Sequence, residues 1–180
     1  ASGLPISAVI GTRDVMRHWT PMLQTSTFLG NPLAAAAALA SIGEIERRGL
    51  LARAGSLGAR FNAGLCALAE RHPMIGEVRG LGMLQAVELV RDRAKKVPAT
   101  AEARAAVAEA MRRGLLINNR GGRFGNVLKF SPPLVMTDEQ LDAGLAILDD
   151  ALAAVAHDDT HGAGESATRT GAIRAEVTHG

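Results

Sequence analysis

The sequence predicts an α+β fold: a small mixed or antiparallel sheet covered by helices, preceded by a long alanine-rich helix. Three observations predict it. Stretches with apolar residues at steps of three, four or seven alternate with short apolar runs bounded by glycine or proline. Two polar-to-apolar transitions, Asn31-Pro32 and Thr137-x-x-Gln140, carry the chemistry of helix starts. No apolar run reaches the roughly 20 residues that cross a bilayer, the alanine-weighted Leu33–Ile42 included.

The elements follow in order. Gly3–Ile10 is β-branched and apolar and reads as a strand or extended segment. Asp14–Trp19 suits a short helix stopped by Pro21, with Trp19 in a buried packing role. Asn31 can cap the next helix through its side-chain oxygen, and Pro32 gives up an N–H that has no helical partner. That helix runs to Arg48, and Gly49 suits the residue after its end. Leu50–Arg71 is amphipathic, with Leu50, Leu57, Phe61, Leu65 and Leu68 on one stripe and His72-Pro73 as its stop. Cys66 lies in this apolar pattern as a core filler.

Met74–Gly80 leads into a strand, and Met83–Val90 reads as a strand with one well-buried face. Arg91–Pro98 is a charged loop. Thr100–Arg113 is a helix ended by Gly114, Leu115–Asn118 a short strand, Asn119–Gly125 a glycine-rich turn, and Asn126–Ser131 a strand closed by Pro132-Pro133. Thr137 and Gln140 form a capping box for a helix to about His157. Residues 157–180 are polar and without period, which predicts a disordered tail.

The composition excludes some functions. The 180 residues carry a formal charge of +2, which implies no nucleic acid or other acidic polymer as partner. One cysteine excludes an internal disulfide and a cysteine-built metal site. His157, His161 and His179 lack metal-ligand spacing. Lysine occurs only as Lys95, Lys96 and Lys129.

On residue chemistry alone, Ser26, Thr27 and Gly30 have two readings. They form a plain polar turn before a core helix, or a place where hydroxyls and backbone N–H groups meet an anion. Arg79, between glycines in GEVRGLG, suits a structural ion pair, and Gly121–Arg123 a hairpin turn.

Four segments in order resemble one family. TFLGNPLAAAAALA resembles T-[FY]-x-G-N-P-[LI]-A-x-A-A-A-L of the class III, pyridoxal-phosphate-dependent aminotransferases, which include 4-aminobutyrate and acetylornithine aminotransferases and dialkylglycine decarboxylase. GLPISAVIG, IGEVRGLGMLQAVEL and NVLKFSPPLVMTDEQLDAGLAIL resemble the family's G-x-P turn, its I-G-[DE]-V-R-G-x-G strand entry, and its closing strand and helix.

The resemblance implies the C-terminal part of an α/β, fold type I transferase. Residues 1–48 would end the cofactor domain and hold the interdomain helix, 49–156 would form the small α/β domain, and 157–180 the tail. It implies a cytoplasmic homodimer with the active site shared between subunits. It implies pyridoxal 5′-phosphate as cofactor, and transfer of an amino group from an amine or amino acid (4-aminobutyrate-like) to a 2-oxo acid. Thr27 matches the threonine that holds the cofactor phosphate for the neighbouring subunit, with Ser26 adjacent.

Lys129 falls where many relatives carry an arginine for the substrate carboxylate. Arginine offers a planar fork there, lysine a point charge. Lys129 is therefore a candidate anion anchor, or a surface lysine in a subfamily that anchors substrate elsewhere. The Schiff-base lysine is expected upstream of Ala1, so the catalytic set in this chain is empty and the chain alone should be inactive. A phospho-lyase or decarboxylating relative, and a non-catalytic truncated remnant acting as an interaction module, are the alternatives.

Overall fold

The computed structural model describes residues 3–20, 27 and 29–169, with side chains described to residue 157. The chain divides into two compact units, Ala1–Leu51 and Ala52–Gly180.

In the first unit, residues 4–12 carry no strand pairing. Gly3–Ile10, read as a strand or an extended segment, forms no strand: no strand among the described residues meets its backbone, and Val9 and Ile10 are exposed. Helix α1 (Arg13–Met16) is one turn. Trp19, expected to be buried, is 47% exposed. Helix α2 (Pro32–Arg47) starts as its sequence dictates: Asn31 Oδ1 accepts from Leu33 N at 3.0 Å and Ala34 N at 3.3 Å. It closes with Arg48 N on Glu44 O, and Gly49 follows at φ +60°.

Helix α3 (Leu50–Arg71) leads into the second unit. There the strands β1 (Ile75–Leu81), β2 (Leu84–Asp92), β3 (Val97–Pro98), β4 (Asn118–Gly121) and β5 (Val127–Phe130) build the sheet, with helices α4 (Thr100–Arg112) and α5 (Asp138–Arg169) between and after them. The strand order is β1-β2-β5-β4, with β3 beside β2, and all pairs are antiparallel.

Alternation sorts the sheet's two faces. Val87 and Leu89 of β2 and Leu128 and Phe130 of β5 point into the core. They meet Leu57, Phe61, Leu65 and Leu68 of α3, Ala103 and Ala106 of α4, and Leu141, Leu148 and Leu152 of α5. Each such large side chain contributes about 1.5–3 kcal/mol on burial. Cys66 is exposed instead of filling the core. It follows Leu65 by one residue, a rotation of about 100° off the α3 stripe.

Three expected boundaries move. Part of the Arg91–Pro98 loop pairs as β3. Residues 115–117 carry no ladder, and β4 starts at Asn118. Helix α5 continues past His157 to Arg169; residues 170–180 lie outside the described residues.

Candidate functional site

Thr27 sits exposed in a turn ahead of α2. Its hydroxyl has no hydrogen-bond partner among the described residues. The first turn of α2 offers little to an anion: Asn31 takes the N–H groups of Leu33 and Ala34, and Pro32 has none. An anion at this turn would therefore meet the Thr27 hydroxyl rather than the helix end. Ser26 lies outside the described residues.

Lys129 sits on β5 in the second unit, on the face opposite Leu128 and Phe130. Register aligns Arg79, Ala86, Lys129 and Asn118 across four strands. Arg79 is engaged: its guanidinium donates to Glu77 at 3.0 Å and Glu88 at 2.8 Å, the structural pairing its glycine flanks suggested. Lys129 is exposed and has no ion-pair partner among the described residues. Thr27 and Lys129 lie in different compact units, and the described geometry does not join them.

Beside Lys129 opens a cavity of about 520 Å³. Its origin is local. Proline has no N–H for a ladder, so Pro132-Pro133 prevents β5 from continuing. Residues 115–117 are unpaired before β4, whose ladder with β5 begins at Asn118 opposite Lys129. The sheet therefore gapes where these two segments pass. The floor is core: Phe61, edge-on to Phe130 with centroids 5.5 Å apart, and Leu141 and Leu148 of α5.

The wall is fixed. Met136 N donates to Pro133 O at 3.1 Å, and Met136 O accepts from Arg53 at 2.6 Å. The capping box forms as its sequence requires: Thr137 N donates to Gln140 Oε1 at 3.0 Å, and Gln140 N to Thr137 Oγ1 at 3.2 Å. Glu139's own backbone N–H, then the Thr137 hydroxyl, hold its carboxyl below the usual range.

Ion pairs clamp α3 to α5 around this wall. Arg60 reaches Asp138 at 3.1 Å and Asp142 at 2.6 Å, and Asp142 raises the Arg60 pKa. Arg53 also meets Asp138, at 3.2 Å. At the other end of α3, Asp149 accepts from His72 Nε2 at 2.5 Å and Arg71 at 2.7 Å. The His72 hydrogen bond chiefly, with help from Arg71 and against desolvation, holds the Asp149 carboxyl below its ordinary pKa.

Sequence reasoning singled out Thr27 and Lys129 as candidates and did not anticipate the cavity. Its wall comes from residues 115–117 and 132–136, which are remote in sequence and meet only through the fold. The one available signal was the Pro132-Pro133 step.

A family model described as "Aminotransferase class-III" matches residues 1–152. The isoleucine 2-epimerase of Lentilactobacillus buchneri is 41% identical over 86% of this chain and 34% of its own length. The 5-aminovalerate aminotransferase of Pseudomonas putida is 39% identical over 87% of this chain and 36% of its own length. The chain thus spans about a third of the length of these curated relatives. In structure it resembles the PLP-bound form of an amine transaminase from an uncultivated Pseudomonas species, with TM-score 0.67, 33% identity, and coverage of 75% of this chain and 30% of that one.

Proposed function

The chain belongs to the class-III aminotransferase family, and from that premise we propose that it is the C-terminal portion of a pyridoxal-phosphate-dependent enzyme that transfers an amino group from an amine or amino acid to a 2-oxo acid. The fold supports this, since its neighbours are fold type I transaminases. The observation that carries the reading is the Thr27 turn. Its hydroxyl is exposed and unengaged among the described residues, while Asn31 does the capping that would otherwise explain a polar residue here.

The residues present fit two edges of the chemistry. Thr27 is a neutral donor suited to a phosphate oxygen. Lys129 is an exposed cation suited to the acidic end of a substrate. Pyridoxal phosphate, when bound, supplies the electron sink that loosens the bonds at the carbon bearing the amine. No lysine lies in residues 1–51, and Lys95 and Lys96 sit in an exposed turn, so no residue of this chain is assigned the amine that holds the cofactor. Partnership with a second copy, Thr27 of one subunit serving the site of the other, belongs to the same reading.

The relative named as an isoleucine 2-epimerase favours a second reading, inversion at the amine-bearing carbon. The two differ in where the proton goes. An epimerase returns it to the opposite face of the same carbon and needs no 2-oxo acid.

The DNA upstream of the Ala1 codon is the first test. An open frame with a lysine a few codons before Ala1 supports the proposal; a stop codon there overturns it. The protein encoded by that frame then separates the two reactions. Amine transfer that requires a 2-oxo acid supports transamination. Inversion with solvent deuterium at the α-carbon and no 2-oxo acid overturns it in favour of epimerisation.

A further inference from the structure

The β4–β5 hairpin gathers positive charge that no carboxylate near it in sequence offsets. Most arginines of the second unit meet a carboxylate or a backbone carbonyl, as Arg60 and Arg93 do. Arg104, Arg120 and Arg123 meet neither among the described residues. Residues 113–137 contain no Asp or Glu. The carboxylates of α4, Glu102 and Glu109, are buried against Arg91 and Arg113. Arg104 follows Thr100 by one turn of α4, and Thr100 Oγ1 donates to Phe124 O at 2.8 Å, which sets that side of the helix beside the hairpin.

The tip is rigid. Asn119 Nδ2 donates to Gly125 O at 3.0 Å. Gly121 and Gly122 lie so close to Val127 that a Cβ on them would come within 2.9 and 2.8 Å of its side chain. On this tip the Phe124 ring is 57% exposed, with the Arg123 guanidinium 5.9 Å from its centre. The formal charge of +2, averaged over the sequence, argues against an acidic polymer. The fold concentrates unpaired guanidinium at one hairpin, and a polymer meets the local charge.

We infer that the Asn119–Gly125 hairpin binds single-stranded nucleic acid, with phosphates on Arg104, Arg120 and Arg123 and a base stacked on Phe124. Guanidinium forks match phosphate oxygens, and an exposed ring accepts the face of any base. A duplex keeps its base faces stacked on one another and offers the ring nothing. An acidic polypeptide would meet the arginines and leave the ring in water. The site draws on neither Thr27 nor Lys129 and stands apart from the proposed reaction.

The test is fluorescence anisotropy of a labelled oligothymidylate of about 15 nucleotides, titrated with the 180-residue chain. Three phosphate contacts predict a slope of about −2 in log K against log salt, or about fifteenfold weaker binding between about 50 and about 200 mM. Arg120→Ala with Arg123→Ala should cut the slope to about −0.7. Phe124→Ala should weaken binding about tenfold and leave the slope unchanged. These side chains are exposed, so far-ultraviolet circular dichroism and the urea midpoint should match the parent chain.

No rise in anisotropy at low salt overturns the inference. A duplex that binds as tightly as the single strand does so too, as does an unchanged affinity in Phe124→Ala. Polyglutamate competing on equal terms assigns the hairpin to acidic polypeptides instead. If the double arginine variant binds like the parent, the strand sits elsewhere on the chain and the inference fails.

Discussion

Three glycines in α3 should answer the same substitution in three different ways. Alanine in a helix interior is favoured over glycine by about 0.8–1 kcal/mol. Gly55 is exposed, with nothing near its missing side chain, so Gly55→Ala should collect that gain in full. Gly58, one turn on, is buried. A Cβ there would overlap the backbone of Gly82, in the two-residue turn between β1 and β2. Gly82 has φ +54° at the first loop position, as a II′-type hairpin requires, so the turn cannot easily yield. Accommodating the methyl means moving α3 off the sheet, which costs about 3 kcal/mol at the upper end for overpacking. The net loss for Gly58→Ala is then about 2 kcal/mol, and the gap between the two variants about 3 kcal/mol.

At Gly64 the added carbon meets only the end of the Leu145 side chain. Leu145 borders the cavity and can turn into it, so Gly64→Ala should be close to neutral. Urea unfolding of the whole chain reads all three. With m about 2 kcal/mol/M, the Gly55 and Gly58 variants should differ by about 1.5 M in midpoint. Equal stabilisation by Gly55→Ala and Gly58→Ala would refute the close approach of α3 to the β1–β2 turn.

Other expectations follow from the same geometry. Asp149 has a folded-state pKa below its unfolded value, so it contributes stability above the unfolded value near 3.9, and that contribution is lost as pH falls through the folded value. Asp149→Asn should therefore destabilise the chain at pH 7 and do so much less near pH 3; an equal loss at both would refute the stabilising role of the Asp149 carboxylate. The Arg93 guanidinium donates to the carbonyls of Ile75, Ala69 and His72 at 2.9, 2.5 and 3.1 Å, closing the α3–β1 connection. Arg93→Ala should cost about 1–3 kcal/mol in urea unfolding, and an unchanged midpoint would count against that role. Thr27→Val should leave stability within about 0.5 kcal/mol while weakening pyridoxal phosphate about tenfold in the cofactor-binding protein, a factor equivalent to about 1.4 kcal/mol. Unchanged affinity would remove Thr27 from the phosphate contact.

Local chemistry was legible in the sequence wherever neighbours along the chain decide it. Asn31-Pro32 set the start of α2, Thr137 and Gln140 capped α5, and the 57–61–65–68 stripe fixed which side of α3 is buried, because capping and helical periodicity act within a turn or two. The family resemblance was likewise carried by local strings, Thr27 and Lys129 included. Tertiary structure decided the rest. Residues 4–12 are β-branched enough for a strand but pair with no strand among the described residues, whereas Val97-Pro98, a poor strand by composition, pairs with β2 because the fold brings it there. His72 meets Asp149 across 77 positions. The cavity beside Lys129 exists because Pro132-Pro133 ends one strand where residues 115–117 have not yet begun another. Propensity and capping are properties of a few adjacent residues and can be read from them. A partner strand, a hydrogen bond between remote helices or a gap in a sheet belongs to segments far apart in the chain, and packing alone brings those together.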